Sequence, residues 1–153
     1  MPNSVAVEGA GVHTCATGCP TLEINQPGTP LQDFCYRWGL SLLGTAAWDL
    51  VYNRQTGVAG FTNEHWLSRY DQTLQCAGGR STSAYAGAGI HTCTSNTCSV
   101  LTMAPGHQLT VYCRSVGQTL GGTSLWDLVY DVSTGYAGWT NEAWLSTRAT
   151  EYC

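Results

Sequence analysis

Two His-Thr-Cys triplets are the part of this 153-residue chain best equipped for chemistry: His13-Thr14-Cys15, followed by Cys19, and His91-Thr92-Cys93, followed by Cys98. On an extended strand residues two apart share a face, so imidazole and sulfur can meet in each triplet. Three chemistries use such a pair: a thiolate nucleophile, a zinc site and a disulfide. A nucleophile needs a free thiolate. The eight cysteines are even in number, and the other four are Cys35, Cys76, Cys113 and Cys153, which leaves none spare. Common zinc sites use close Cys pairs in twos, and Cys35 and Cys76 lie far apart without such partners. An even, repeating set in a chain without lysine reads as a disulfide framework in an oxidising compartment, with no metal and no cofactor. We expect Cys15–Cys19 with Cys35–Cys76, then Cys93–Cys98 with Cys113–Cys153. Four cysteines per copy allow three pairings, and spacing alone does not choose among them.

The acidic pairs Asp49 with Glu64 and Asp127 with Glu142 are a second candidate, since paired carboxylates run glycoside hydrolysis. The preferred reading is structural, with each aspartate bracing a loop and each glutamate at a short turn. No phosphate-binding loop, dinucleotide glycine pattern or serine elbow is present. The chain is expected not to be an enzyme. Its aromatic residues suggest binding instead. Trp48, Trp66, Trp126, Trp144 and Trp139 are a heavy load, of which Trp139, with Phe61, is expected in the core. A sugar offers an apolar C–H face and a rim of hydroxyls, so indoles beside polar side chains suit it. Asp49, Asn63 and Glu64, and again Asp127, Asn141 and Glu142, are the acceptors expected in each copy, with His13 and His91 beside them.

Charge narrows the partners. Only 10% of residues are charged and the formal net charge is −4, with six arginines in no cluster. Nucleic acid and anionic membranes need clustered cations, so neither is expected as a partner. No apolar stretch approaches the roughly 20 residues of a membrane span, so no membrane insertion is expected. Residues 1–10 lack a charged segment followed by an apolar core, so Met1 reads as the start of a mature or recombinant form.

These candidates occur twice because the chain is duplicated. At an offset of 78 residues, His13-Thr14-Cys15 falls on His91-Thr92-Cys93 and Cys35 on Cys113, and residues 44–68 match 122–146 at 17 of 25 positions. The boundaries expected are 9–76 for the first repeat, 77–87 for a flexible Gly- and Ser-rich linker, and 88–153 for the second. A unit of about 65 residues is marginal alone, which is where disulfides help. Within the second copy, residues 109–114 alternate as a strand and Gly117–Gly122 reads as a loop. Further strands are expected over Leu125–Tyr130 and Tyr136–Thr140, with a 3₁₀ turn at Asn141-Glu142-Ala143. Asp33 stands where Val111 does, so the first copy's strand is expected to be less regular.

The order of strand ending in Cys, loop, Trp-Asp-x-Val, glycine turn, and Gly-aromatic-Thr-x-x-x-Trp-Leu resembles the bacterial SH3-like domains of secreted actinobacterial proteins. Gly60-Phe61-Thr62 with Trp66-Leu67, and Gly138-Trp139-Thr140 with Trp144-Leu145, carry the resemblance, while the His-Thr-Cys opening departs from that family. It implies an all-β fold of two tandem small SH3-like barrels, each stapled by disulfides, with Trp66 and Trp144 lining a ligand groove. Trp48 and Trp126 begin a strand that would face the same groove. In plan the chain is also similar to two-repeat actinobacterial hemagglutinins, which implies rhamnose- or galactose-type sugars. The function expected is a secreted, divalent carbohydrate-binding protein of lectin type. A module binding cell-wall peptidoglycan is the related alternative, and a protein-binding or inhibitor role is the distant one.

Overall fold

The structure is a computed structural model that describes residues 3–7, 9–70 and 72–153. The chain is all-β and divides into two compact units, residues 1–76 and 77–153, each built on its own six-stranded antiparallel sheet. In the first unit the strands are β1 (Asn3–Val5), β2 (Ala10–His13), β3 (Thr21–Asn25), β4 (Pro30–Leu42), β5 (Thr45–Asn53) and β6 (Val58–Asn63), ordered β1-β4-β5-β6-β2-β3. The second contains β7 (Arg80–Thr82), β8 (Gly89–His91), β9 (Val100–Met103), β10 (Leu109–Leu120), β11 (Thr123–Asp131) and β12 (Ala137–Asn141), in the matching order β7-β10-β11-β12-β8-β9. One 3₁₀ turn follows the last strand of each, at Glu64–Trp66 and Glu142–Trp144. No helix among the described residues is long and apolar enough to cross a membrane.

The four disulfides pair as expected: Cys15–Cys19, Cys35–Cys76, Cys93–Cys98 and Cys113–Cys153. The long bridges tie each unit's tail to its central strand, where Tyr36 bridges Gln75 and Arg114 bridges Tyr152. Closing loops of 41 and 40 residues, each is worth about 4 kcal/mol in the loop-entropy picture. Disulfides in this number are consistent with an oxidising, extracellular setting.

Apolar side chains fill the concave side of each curled sheet. Ala6, Ala10, Val12, Leu31, Val51 and Leu67 form the first core, and Ala88, Ile90, Leu109, Val111, Val129 and Leu145 the second. Phe61 and Trp139 are fully buried, as expected of aromatics between strand glycines.

Three expectations need correction. Residues 80–82, read as flexible linker, form β7 and pair with β10, and Ala84 bridges Leu145. The equivalent residues of the first unit, β1 and Ala6, do the same with β4 and Leu67. The second unit thus begins at Ala77, the first residue of the segment taken for a tether, because a three-residue strand is stabilised by a distant partner rather than by local pattern. Second, residues 117–120 are strand, not loop: β10 runs through Gly117 to Leu120, and the turn is confined to Gly121-Gly122. Gly117 is there for space, since a Cβ would collide with the Thr94 carbonyl, and Gly39 stands in the same relation to Ala16. Third, β4 is as regular as β10 despite Asp33, and both carry two register shifts at matching places, Asp33/Cys35 and Trp38/Leu42 in β4 and Val111/Cys113 and Val116/Leu120 in β10.

Candidate functional site

Corresponding residues build a groove in each unit, and the first unit has a further cavity of about 240 Å³, lined by Ser4, Val5, Pro30, Leu31, Gln32, Arg54 and Gln55. In the second unit the groove walls include His91, Val100, Met103, Leu120, Trp126, Asn141 and Trp144, enclosing about 320 Å³. The first unit places His13, Thr21, Ile24, Leu42, Trp48, Asn63 and Trp66 around about 210 Å³. Of the residues expected from sequence to bind a ligand, the two histidines, the two asparagines and four tryptophans are brought together here. The first groove is narrower and has Thr21 where the second has Val100.

The tryptophans divide by role. Trp48 and Trp126 are nearly completely buried and form the groove floor. Each indole N–H donates to a backbone carbonyl of the long hairpin, Leu40 and Gln118 respectively, at 2.8 Å. Trp66 and Trp144 are half-buried on the 3₁₀ turn that follows β6 or β12, and their rings form a side wall. Asn63 and Asn141 set those turns. Each is extended, accepts from the N–H two residues on (His65 at 2.9 Å, Ala143 at 2.8 Å), and donates to the Thr45 or Thr123 carbonyl. They are capping residues that hold the wall to the neighbouring hairpin, a purpose a ligand-acceptor reading overlooks.

The histidines are held from two sides. His13 Nδ1 lies 2.8 Å from the Cys19 carbonyl and His91 Nδ1 3.2 Å from that of Cys98. Edge-on contact with the floor tryptophan fixes the ring plane, at 5.5 Å from Trp48 and 5.7 Å from Trp126. The remaining nitrogen folds back over a groove glycine. A Cβ at Gly11 would stand 2.9 Å from His13 Nε2, and one at Gly89 3.2 Å from His91 Nε2. The short disulfide loops serve this placement, because they present the carbonyl that receives Nδ1–H. They are anchored in turn by Leu40 N–H to the Ala16 carbonyl and Gln118 N–H to that of Thr94.

The carboxylates lie elsewhere. Asp49, Glu64, Asp127 and Glu142 are all buried and none lines a groove, so they are not placed to meet a ligand. In the first unit Asp49 is flanked by Asp33 and Glu64, and Gln72 donates to Glu64 at 2.7 Å. Burial first, then those two acidic neighbours, push Asp49 up to about 12, so it is held as the neutral acid. In the second unit Asp127 accepts from Ala149 N–H at 2.7 Å, and Arg114 stands 3.9 Å from Glu142. Burial and Glu142 raise Asp127 to about 8, while the Ala149 N–H and Arg114 pull it down.

Sequence reasoning missed three contributors. Asn96, exposed at the rim of the second groove, comes from the disulfide loop that is one residue longer there. Thr62 and Thr140 donate to the Gly11 and Gly89 carbonyls at 3.0 Å and lash the histidine strand to the tryptophan strand. Trp38, Leu40 and Leu43 stand exposed on the first unit's β4–β5 hairpin. No group of acidic, cysteine and histidine side chains suited to a metal occurs among the described residues. Comparison with protein-family models, curated proteins and solved structures gives no match.

Proposed function

We propose that the chain is a secreted, divalent carbohydrate-binding protein of lectin type, two tandem SH3-like modules with one sugar site in each groove, and not an enzyme. The observation that carries this reading is that both units keep the same groove. It has a tryptophan floor, a half-exposed tryptophan wall and a histidine, and no charged side chain among its described lining residues. Indole surfaces suit the C–H face of a neutral sugar, and uncharged polar atoms beside them suit its hydroxyls. Two weak sites on one chain gain from avidity at a glycan-bearing surface, because the second engagement becomes intramolecular. Galactose- and rhamnose-type sugars are the first ligands to try, and cell-wall glycan the next. Agglutination of erythrocytes, inhibited by a free neutral sugar, is the expected result. Absence of binding to any glycan on an array, or to purified sacculi, would sink the reading.

One observation favours a second reading, protein binding by the first unit. Trp38, Leu40 and Leu43 are 57%, 49% and 70% exposed along one hairpin, and Leu43 adopts a φ of +49°. A leucine in that region is strained, and the second unit has Gly121 there instead. If the hairpin is the functional surface, Trp38→Ala abolishes activity while Trp66→Ala and Trp144→Ala leave it intact.

A further inference from the structure

The histidine in each groove has one nitrogen whose state the surrounding protein fixes. The nearest partner of Nδ1 is a backbone carbonyl, Cys19 at 2.8 Å or Cys98 at 3.2 Å, and a carbonyl can only accept; at His13 the Thr21 hydroxyl lies farther off, at 3.5 Å, and can accept as well as donate. Nδ1 therefore carries the hydrogen, and in the neutral ring Nε2 is left with its lone pair. That atom lies over Gly11 or Gly89, which also line the groove, and no group among the described residues donates to it. In the second groove Trp144 supplies the opposite function. Its Nε1–H has no acceptor among the described residues and lies over Gly87, another lining residue. The wall thus offers one acceptor and one donor in an uncharged setting, where Thr140 and Asn141 are already engaged with backbone groups and Asn96 stands at the rim.

We propose that His13 and His91 are fixed hydrogen-bond acceptors, and that the grooves therefore select a neutral ring compound bearing a hydroxyl donor beside an apolar face. The specificity-determining atom is Nε2 of each histidine. The short disulfide loop acts through it as a positioning device, by presenting the carbonyl that fixes the tautomer. A charged ligand is disfavoured, because no lining side chain neutralises it and its desolvation goes uncompensated. A ligand that offers Nε2 only an acceptor leaves two lone pairs opposed. This deepens the carbohydrate reading and rests on it for the identity of the ligand, but the state of the histidine is independent of that reading.

The test is nitrogen-15 spectroscopy of the histidine side chains in the full, disulfide-intact chain at pH 8, first alone and then titrated with galactose, rhamnose and galacturonic acid. His13 and His91 are assigned by loss of signal in His13→Phe and His91→Phe. The expected result is the Nδ1–H tautomer at both positions. A neutral sugar then moves the Nε2 resonance, and His91→Phe weakens binding at the second groove about tenfold, the loss of roughly one neutral hydrogen bond. Gly89→Ala, which leaves the imidazole in place but crowds Nε2, is expected to weaken binding without changing the tautomer. An Nε2–H tautomer or a doubly protonated ring in the free protein overturns the proposal, whatever sugars do. A neutral sugar that binds without moving Nε2, or galacturonic acid binding as tightly as galactose, overturns it while leaving the carbohydrate reading standing. If the tautomer is as stated but neither neutral sugar binds, the ligand assignment falls with the carbohydrate reading, and the acceptor assignment stands.

Discussion

The two units agree around the groove and differ at the buried carboxyl cluster. In the first, Asp33, Asp49 and Glu64 share one site, with Tyr36 and Tyr70 at the positions that Arg114 and Arg148 hold in the second. In the second, Val111 replaces Asp33 and joins the apolar core, Arg114 faces Glu142, and Arg148 donates to the Glu142 carbonyl at 3.1 Å. One backbone thus accommodates two solutions to burying acid groups: sharing protons among carboxyls, or supplying an arginine. Burying an ion without a partner is expensive, which is why the first unit keeps Asp49 neutral. Both units keep the histidine, asparagine and tryptophans of the groove, whichever solution is used.

The contrast can be broken by exchanging the parts. Arg114→Tyr gives the second unit the first unit's residue without its third carboxyl. It removes the cation facing Glu142 and leaves Asp127 only the Ala149 N–H, for a loss of about 2 kcal/mol once the partial exposure of Arg114 is allowed for. Chemical denaturation of the whole chain, followed by amide signals of each unit, measures it, and the first unit is expected not to change.

The next largest effect is in the pH profile. Asp49 and Asp127 ionise near 3.8 when unfolded and higher when folded, so the folded state holds their protons more tightly. The stability this contributes is complete below about pH 4 and falls as pH rises towards the folded value. For Asp127 that fall ends near pH 8, whereas for Asp49 it continues towards 12. Between pH 8 and 9.5 the first unit is therefore expected to go on losing stability while the second levels off. Hydrogen exchange of core amides in β5 and β11 reads the two units separately, and parallel profiles would contradict this account.

A smaller effect, of opposite sign, is expected from Asp33→Val. It removes one of three carboxyls, restores the apolar residue of the second unit, and raises the stability of the first by about 1 kcal/mol. It also flattens that unit's profile above pH 8. A destabilised Asp33→Val chain would mean that Asp33 contributes more through its other contacts than it costs by its burial.

Much of this was legible in the sequence. The duplication and the 3₁₀ turns rest on local pattern, and they stand in the structure; the preferred cysteine pairing stands too, although spacing leaves three pairings open in each copy. So does the burial of Phe61 and Trp139. What was not legible depends on distant partners. β7 is three residues long and exists because β10 lies beside it, so its Ser- and Gly-rich setting reads as linker. Gly117 looks like a loop residue because nothing nearby reveals that the Thr94 carbonyl needs its empty side. Asp49 and Glu64 look like ligand acceptors until the sheet curls and buries them, and Asn63 looks the same until its amide is seen capping the turn.

The central claim is that two equivalent grooves, and not the hairpin or the carboxyl cluster, hold the ligand. A titration of the full chain with galactose and with rhamnose, following the indole N–H signals of all six tryptophans, tests it most directly. Trp66 and Trp144 are expected to shift with separate saturation curves, and Trp66→Ala or Trp144→Ala each to abolish agglutination while leaving the other groove's curve unchanged. Shifts confined to Trp38, or full agglutination by both single variants, would contradict the claim.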